Sequence, residues 1–212
     1  MAKNVEKLLD YFQKKYPNPE TALNFKNPFE LLISTIMSAQ TTDVQVNKVT
    51  ETLFEKYSKP EDFAKLSQKE LEEEIKTIGL YKNKSKYIIK TSKMILNDFN
   101  GKVPKTRKDL TKLSGVGRKT ANVVLANAFG HDTIAVDTHV FRVANRLGLV
   151  DTDKTKEVEQ SLMDVLPEKY WTKFHHWLIF HGREVCKARN PQCNVCKISK
   201  YCDYYQSVIK GG

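Results

Sequence analysis

All four cysteines of this chain fall within its last 27 residues, at Cys186, Cys193, Cys196 and Cys202, and that spacing constrains the fold more than any other feature. A C-x6-C-x2-C-x5-C run in a loop-rich segment containing Pro191 matches the demand of one four-thiolate metal site, which pins the end of the chain around a single centre. Spacing leaves zinc and an iron-sulfur cluster both open, although four-cysteine zinc sites usually combine two C-x2-C pairs and this chain has one. The opening MAKNVEKLLDYF lacks a secretory apolar core and no stretch reaches membrane-span length, so the expectation is a cytosolic protein, in which disulfides are disfavoured. Between the first two cysteines, KARNPQ carries Lys187 and Arg189, which a bound metal would order into a phosphate-contacting surface.

The 212 residues suffice for one large domain or two compact ones, and helix signals dominate the chain upstream of the cysteines. Val5, Leu8, Leu9 and Phe12 form an apolar stripe. Asn27-Pro28-Phe29-Glu30 offers a cap, an N1 proline and a capping-box Glu ahead of ELLISTIM. Ser67 with Glu70 starts a helix expected to stop at Gly79, and Asn83 to Asp98 reads as another, ending at Asn100-Gly101. Thr106 with Asp109 caps a short helix through Leu113; after a turn at Ser114 to Gly117, a further helix runs to Gly130. Val140, Val143, Ala144 and Leu147 share one helical face, and later helices centre on Val158 to Val165 and Tyr170 to Phe180. Only TIAV, Thr133 to Val136, has strand character. The expected class is all-α.

SGVGRKT, Ser114 to Thr120, resembles a phosphate loop without being one. A nucleotide P-loop needs Gly where Lys112 stands and an unbroken Gly-Lys pair, and a dinucleotide fingerprint needs Gly where Thr120 stands, after a strand. What remains is a Gly-x-Gly hairpin between two helices, with amides presented at a helix start, where a DNA backbone can dock without base readout. The charge agrees. Thirty-five Lys and Arg against 25 Asp and Glu give a formal +10, and between Lys82 and Lys108 nine cations face one acid, Asp98.

Lys119 lies in the first turn after the hairpin, where the helix dipole and neighbouring Arg118 both oppose a second positive charge. A neutral amine there is a nucleophile able to form a Schiff base with a sugar aldehyde; the plainer reading is a phosphate contact. Asp137 reads first as an N-cap, with its other carboxylate oxygen left to face a cationic intermediate. His139 is by default a surface or supporting residue.

LSGVGRKTANVVL, then TIAVDTHVFRVANRLG, then HHWLIFHGREVC with the cysteine tail, closely resembles the endonuclease III family of helix-hairpin-helix DNA glycosylases. The likeness runs from about Asn27 to Tyr204. It implies that Lys119 attacks C1′ of a flipped, damaged nucleotide, expelling the base and leaving a Schiff base that undergoes β-elimination, and that Asp137 supports that step. It implies a mainly structural 4Fe–4S cluster on the four cysteines, Gln40 and Leu80 as residues entering the duplex where the base has left, and DNA contact along Leu113, Gly115, Val116, Gly117 and Arg118. The implied architecture is two all-α domains divided by a DNA-binding cleft, one over 21–132, the other over 1–20 and 133–212 and carrying the cluster. The implied function is a bifunctional glycosylase and AP lyase of base excision repair, a monomer in the cytoplasm at the nucleoid, acting on oxidised pyrimidines and abasic sites in double-stranded DNA. Ser114 stands where the family has proline, which bears on hairpin stiffness.

Three alternatives fit less. An adenine-excising mismatch glycosylase lacks the lysine and carries a catalytic Glu in the helix matching Glu30 to Gln40, where Leu31 to Gln40 here holds no carboxylate; it also usually has an extra C-terminal domain, whereas this chain stops at Gly212. A non-catalytic, metal-stabilised DNA-binding module has no need of Lys119 and Asp137 together. An electron carrier has no use for a basic hairpin.

Overall fold

The computed structural model describes residues 4–210, and all regular structure among them is helical. In chain order the α-helices are α1 (Val5–Lys15), α2 (Pro28–Ser38), α3 (Asp43–Lys56), α4 (Pro60–Lys65), α5 (Gln68–Glu74), α6 (Tyr81–Asp98), α7 (Arg107–Leu110), α8 (Arg118–Phe129), α9 (Thr138–Arg146), α10 (Thr155–Val165) and α11 (Trp171–Glu184). Thr133 to Val136 carries no regular structure, against its strand character in sequence; Ile134, Ala135 and Val136 are buried instead. The segment joins no sheet among the described residues, and its apolar side chains fill core.

The chain divides into two compact units, Thr21–His131 and Met1–Glu20 with Asp132–Gly212. Asp132, expected with the hairpin, goes with the cysteines; residues 1–3 and 211–212, included in the expected domain limits, lie outside the described residues.

The continuous unit is built around α2. Asn27 Oδ1 accepts from the Glu30 amide at 2.9 Å, capping the helix, and Pro28 occupies its first turn. The Glu30 carboxylate, buried, accepts from the Lys26 amide at 2.6 Å and from Asn27 Nδ2 at 3.0 Å, one residue further out than a capping box reaches. Every residue from Phe29 to Met37 is buried, as a helix apolar on all sides must be. Around it pack α3, α6 and α8. Ser67 and Glu70 form the expected capping box of α5, but that helix ends at Glu74, short of Gly79, because the Ile75 amide closes on Leu71 and a turn follows. Likewise α7 ends at Leu110, and single turns carry the chain to Leu113. Arg107 Nε donates to the buried Asn122 Oδ1 at 2.8 Å, tying α7 to α8 across the hairpin.

The discontinuous unit depends on α1 lying against α11. Val5, Leu8, Leu9 and Phe12 are all buried, and each such side chain contributes about 1.5–3 kcal/mol. Phe12 stacks on Trp177, ring centres 6.0 Å apart; Trp177 Nε1 donates to the Tyr16 carbonyl at 2.8 Å, and the Tyr16 hydroxyl to Glu184 at 2.7 Å. The stripe Val140, Val143 and Ala144 of α9 is buried against the same core.

Candidate functional site

The hairpin between α7 and α8 closes through the Val116 amide, which donates to Leu113 O at 3.2 Å. Thr91 of α6 donates its hydroxyl to Ser114 O at 2.7 Å, so the turn is braced from outside at the position where the resembled family has proline. Leu113 and Val116 are buried, so of the expected contact run their side chains belong to the core and only backbone is left to meet a partner. Gly115 has φ +75° and a Cβ there would lie 2.9 Å from Tyr87 Cβ; glycine is required by the fold. Gly117 is different. Its backbone is extended, and a Cβ would meet nothing within 4 Å. A helix start leaves its first amides without carbonyl partners, which is the geometry that receives an anion.

Lys119 is the second residue of α8, exposed, and its side chain takes no part in a hydrogen bond or ion pair among the described residues. Arg118 before it is exposed as well. The basic run upstream is mostly a solvated face, with Lys82, Lys86, Lys90, Lys93, Lys102, Lys105 and Lys108 exposed and Arg107 partly covered.

Lys84 departs from that run. It is only 3% exposed, and its Nζ donates to Met37 O at 2.7 Å, Ala39 O at 2.5 Å and Thr41 Oγ1 at 3.1 Å. Burial lowers its pKa to about 8. These bonds satisfy carbonyls at the end of α2, where a cation also suits the helix dipole. Gln40 and Leu80, both exposed, flank this network, and both are non-glycine residues in the left-handed region, at φ +56° and +59°. Each such residue costs about 1–3 kcal/mol unless its surroundings hold it. Leu80, 55% exposed, is the residue before the first turn of α6. The two loops touch: the Gly79 amide donates to Thr41 Oγ1 at 3.1 Å, and a Cβ on Gly79 would lie 3.1 Å from Gln40 O.

In the other unit, Asp137 caps α9 with one oxygen, Oδ1 accepting from the amides of His139 and Val140, both at 2.8 Å. Its Oδ2 takes no part in that cap. Burial lowers the pKa of His139, with Asp137 opposing and Arg142 and Arg183 adding to the shift. Its Nδ1 lies 3.2 Å from Arg142 Nη2, so His139 supports the arginine.

The same helix holds the cysteine segment. Arg142 donates to Cys186 O at 3.1 and 3.0 Å and to Gly182 O at 3.0 Å; Arg146 donates to Lys187 O at 2.7 Å and to Ala188 O at 3.1 Å. The loop from Val185 closes where the Gln192 amide bonds Val185 O at 2.9 Å. Lys187 and Arg189 are exposed on it. Arg142 and Arg146, which hold the loop between the first two cysteines, are not singled out in the sequence; their four-residue spacing on α9 is the available signal.

No disulfide joins the four cysteines, each of which is partly buried. Burial raises the pKa of Cys193, Cys196 and Cys202, and each is raised further by the charge of Cys186. Arg146 Nη1 approaches Cys186 Sγ at 3.5 Å, and His181 Nε2 lies 3.8 Å from Cys196 Sγ. Four thiols in one short segment, with cationic and imidazole neighbours, are the donor chemistry of a thiolate-ligated metal group, and the fit rests on that chemistry rather than on a closed cage. Among the described residues, no three potential ligands are gathered closely enough to hold a single metal ion.

Residues 33–168 match the family described as HhH-GPD superfamily base excision DNA repair protein. The chain is 50% identical to endonuclease III of Rickettsia conorii, over 96% of this chain and 97% of that one. It is 49% identical to endonuclease III of Bacillus subtilis, over 99% and 96%. A solved structure of a trapped endonuclease III–DNA covalent intermediate superimposes with a TM-score of 0.93 at 47% identity, covering 98% of each chain.

Proposed function

The chain belongs to the endonuclease III family of the HhH-GPD superfamily, and from that premise we propose a bifunctional DNA glycosylase and AP lyase of base excision repair that removes oxidised pyrimidines from duplex DNA. The observation that carries this reading is the placement of Lys119: an exposed amine in the first turn of α8, two residues after Gly117, where a Cβ would meet nothing within 4 Å.

Chemistry on a base requires the nucleotide to leave the stack. The hairpin amides and Arg118 grip phosphate beside the lesion, and Gln40 and Leu80 enter the space vacated by the base. The Lys119 amine then forms a bond to C1′ as the C1′–base bond breaks, the departing base carrying away the bonding pair and taking up a proton. Ring opening leaves an imine between Lys119 and C1′. Loss of a C2′ proton expels the 3′ phosphate and cleaves the strand. Asp137, with Oδ2 outside its cap, is assigned the carboxylate that supports the developing positive charge. Cys186, Cys193, Cys196 and Cys202 would hold a 4Fe–4S cluster, which when bound would supply cross-linking rather than chemistry, and Lys187 and Arg189, exposed on the loop between the first two ligands, would meet DNA phosphate. The corresponding functional division gives Thr21–His131 the hairpin, and Met1–Glu20 with Asp132–Gly212 the cysteine ligands. No helix among the described residues is long and apolar enough to cross a membrane.

Borohydride reduction of the protein on a duplex containing one abasic site tests the mechanism. The parent is expected to give a covalent adduct. Lys119→Ala is expected to bind the same duplex but lose adduct and strand cleavage by roughly 10³-fold or more, the scale on which loss of a covalent nucleophile is felt. Equal cleavage by the variant removes Lys119 from the nucleophile's role; absence of any adduct from a binding-competent parent removes the lyase.

A further inference from the structure

We propose that Lys84 is a positioning residue for duplex entry: its side chain ties the Gln40 loop to the Leu80 loop, so that both residues meet the DNA as one preformed wedge. The inference rests on the reading of Gln40 and Leu80 as the residues that enter the duplex.

Lys84 is bonded on both sides of the pair. Its amide donates to Leu80 O at 3.0 Å, fixing the left-handed residue at the start of α6. Its Nζ bonds Ala39 O and Thr41 Oγ1, the residues immediately before and after Gln40, and also Met37 O in the last turn of α2. Thr41 Oγ1 accepts simultaneously from the Gly79 amide at 3.1 Å, so a single hydroxyl joins the two loops. A lysine spaced to lie on the solvated basic face is instead withdrawn from it, leaving water for three acceptors that frame two strained, exposed residues. An ammonium offers one proton to each acceptor, a number that no neutral side chain of this length supplies. With its pKa lowered only to about 8, Lys84 remains predominantly charged near neutral pH.

A preformed wedge shifts the ordering of both loops to before the encounter, where it no longer weighs against opening the duplex. The dependence on Lys84 therefore belongs to the opening step and vanishes when the substrate is already open. The test compares the parent, Lys84→Met, Lys84→Arg and Thr41→Val, each checked for helix content, on two duplexes carrying the same oxidised pyrimidine: one fully paired, one with the opposite base missing. A third duplex places 2-aminopurine opposite a stable abasic analogue, and its fluorescence at saturating protein reports unstacking. Lys84→Met should lose roughly tenfold or more on the paired duplex, the effect expected for loss of charge-assisted bonds. The same variant should stay within about threefold of the parent on the open duplex and give a smaller 2-aminopurine signal. Lys84→Arg should recover part of the loss. Equal losses on both duplexes, or none on either, overturn the proposal. Should Lys84→Met fail to fold, Thr41→Val carries the same comparison with the lysine in place. Leu80→Ala and Gln40→Ala serve as controls: if both match the parent on the paired duplex and in fluorescence, the wedge reading itself fails, independently of Lys84.

Discussion

Gly115 and Gly117 stand two positions apart and answer to different demands. Gly115 combines a left-handed backbone with contact to the Tyr87 ring, so Gly115→Ala should destabilise the protein by about 1–2 kcal/mol or more in urea unfolding. Gly117 meets neither condition. Gly117→Ala should shift stability by no more than about 0.5 kcal/mol while weakening binding to undamaged duplex, measured by anisotropy. A large stability loss at Gly117 would make it a fold glycine after all. Legibility at this scale follows locality. Asp137 was readable as a cap because capping is settled within three residues, and the split use of its two oxygens follows from the same geometry. Lys84 was misread as one more cation on a basic face, because its burial depends on carbonyls as far as 47 positions away in α2. Leu113 and Val116 were read as contacts from their place in a motif, and the hairpin turns both side chains inward.

Whole helices were legible where apolar spacing and caps agreed, as in α2, α8 and α9. The run DVQVNKVTETLFEK passed unread although Thr42 caps it and Val46, Val49 and Leu53 lie on one buried face, its polar content masking the stripe. Helix ends were less legible than starts: α5 stops at Glu74 and α7 at Leu110 without glycine or proline at either end. The helix that most rewards a test is α11, which buries adjacent histidines. Burial lowers His176 to a pKa of about 4, with Arg183 assisting and Asp137 opposing. Unfolded, the imidazole returns to about 6.5 and binds a proton that the folded state refuses. Stability from this group is thus full above pH 6.5 and is lost as pH falls toward 4, by about 3 kcal/mol at most. Urea midpoints at pH 7 and pH 4.5 should fall more for the parent than for His176→Phe; parallel declines would place the acid sensitivity elsewhere.

At the scale of the whole molecule, the cysteine spacing predicts a metal centre from sequence alone, while the arginines that hold the cysteine loop become visible only when α9 is folded against it. Iron removal, or Cys193→Ser, should strip hydrogen-exchange protection from residues 186–204 and leave the α2 to α8 amides protected. If the site contributes about 3 kcal/mol, the melting temperature should drop by roughly 6–12 °C. An unchanged melting profile would contradict a structural cluster. A different consequence follows from the bond between Trp177 and Tyr16, whose partners are 161 residues apart in sequence. During synthesis at about 5–20 residues per second, α1 leaves the ribosome roughly 8–32 s before the helix that covers its apolar stripe exists. The continuous unit lies wholly within that interval and can complete itself first. The first helix made is therefore among the last to be buried, and its few exposed apolar residues are what a nascent-chain chaperone would meet.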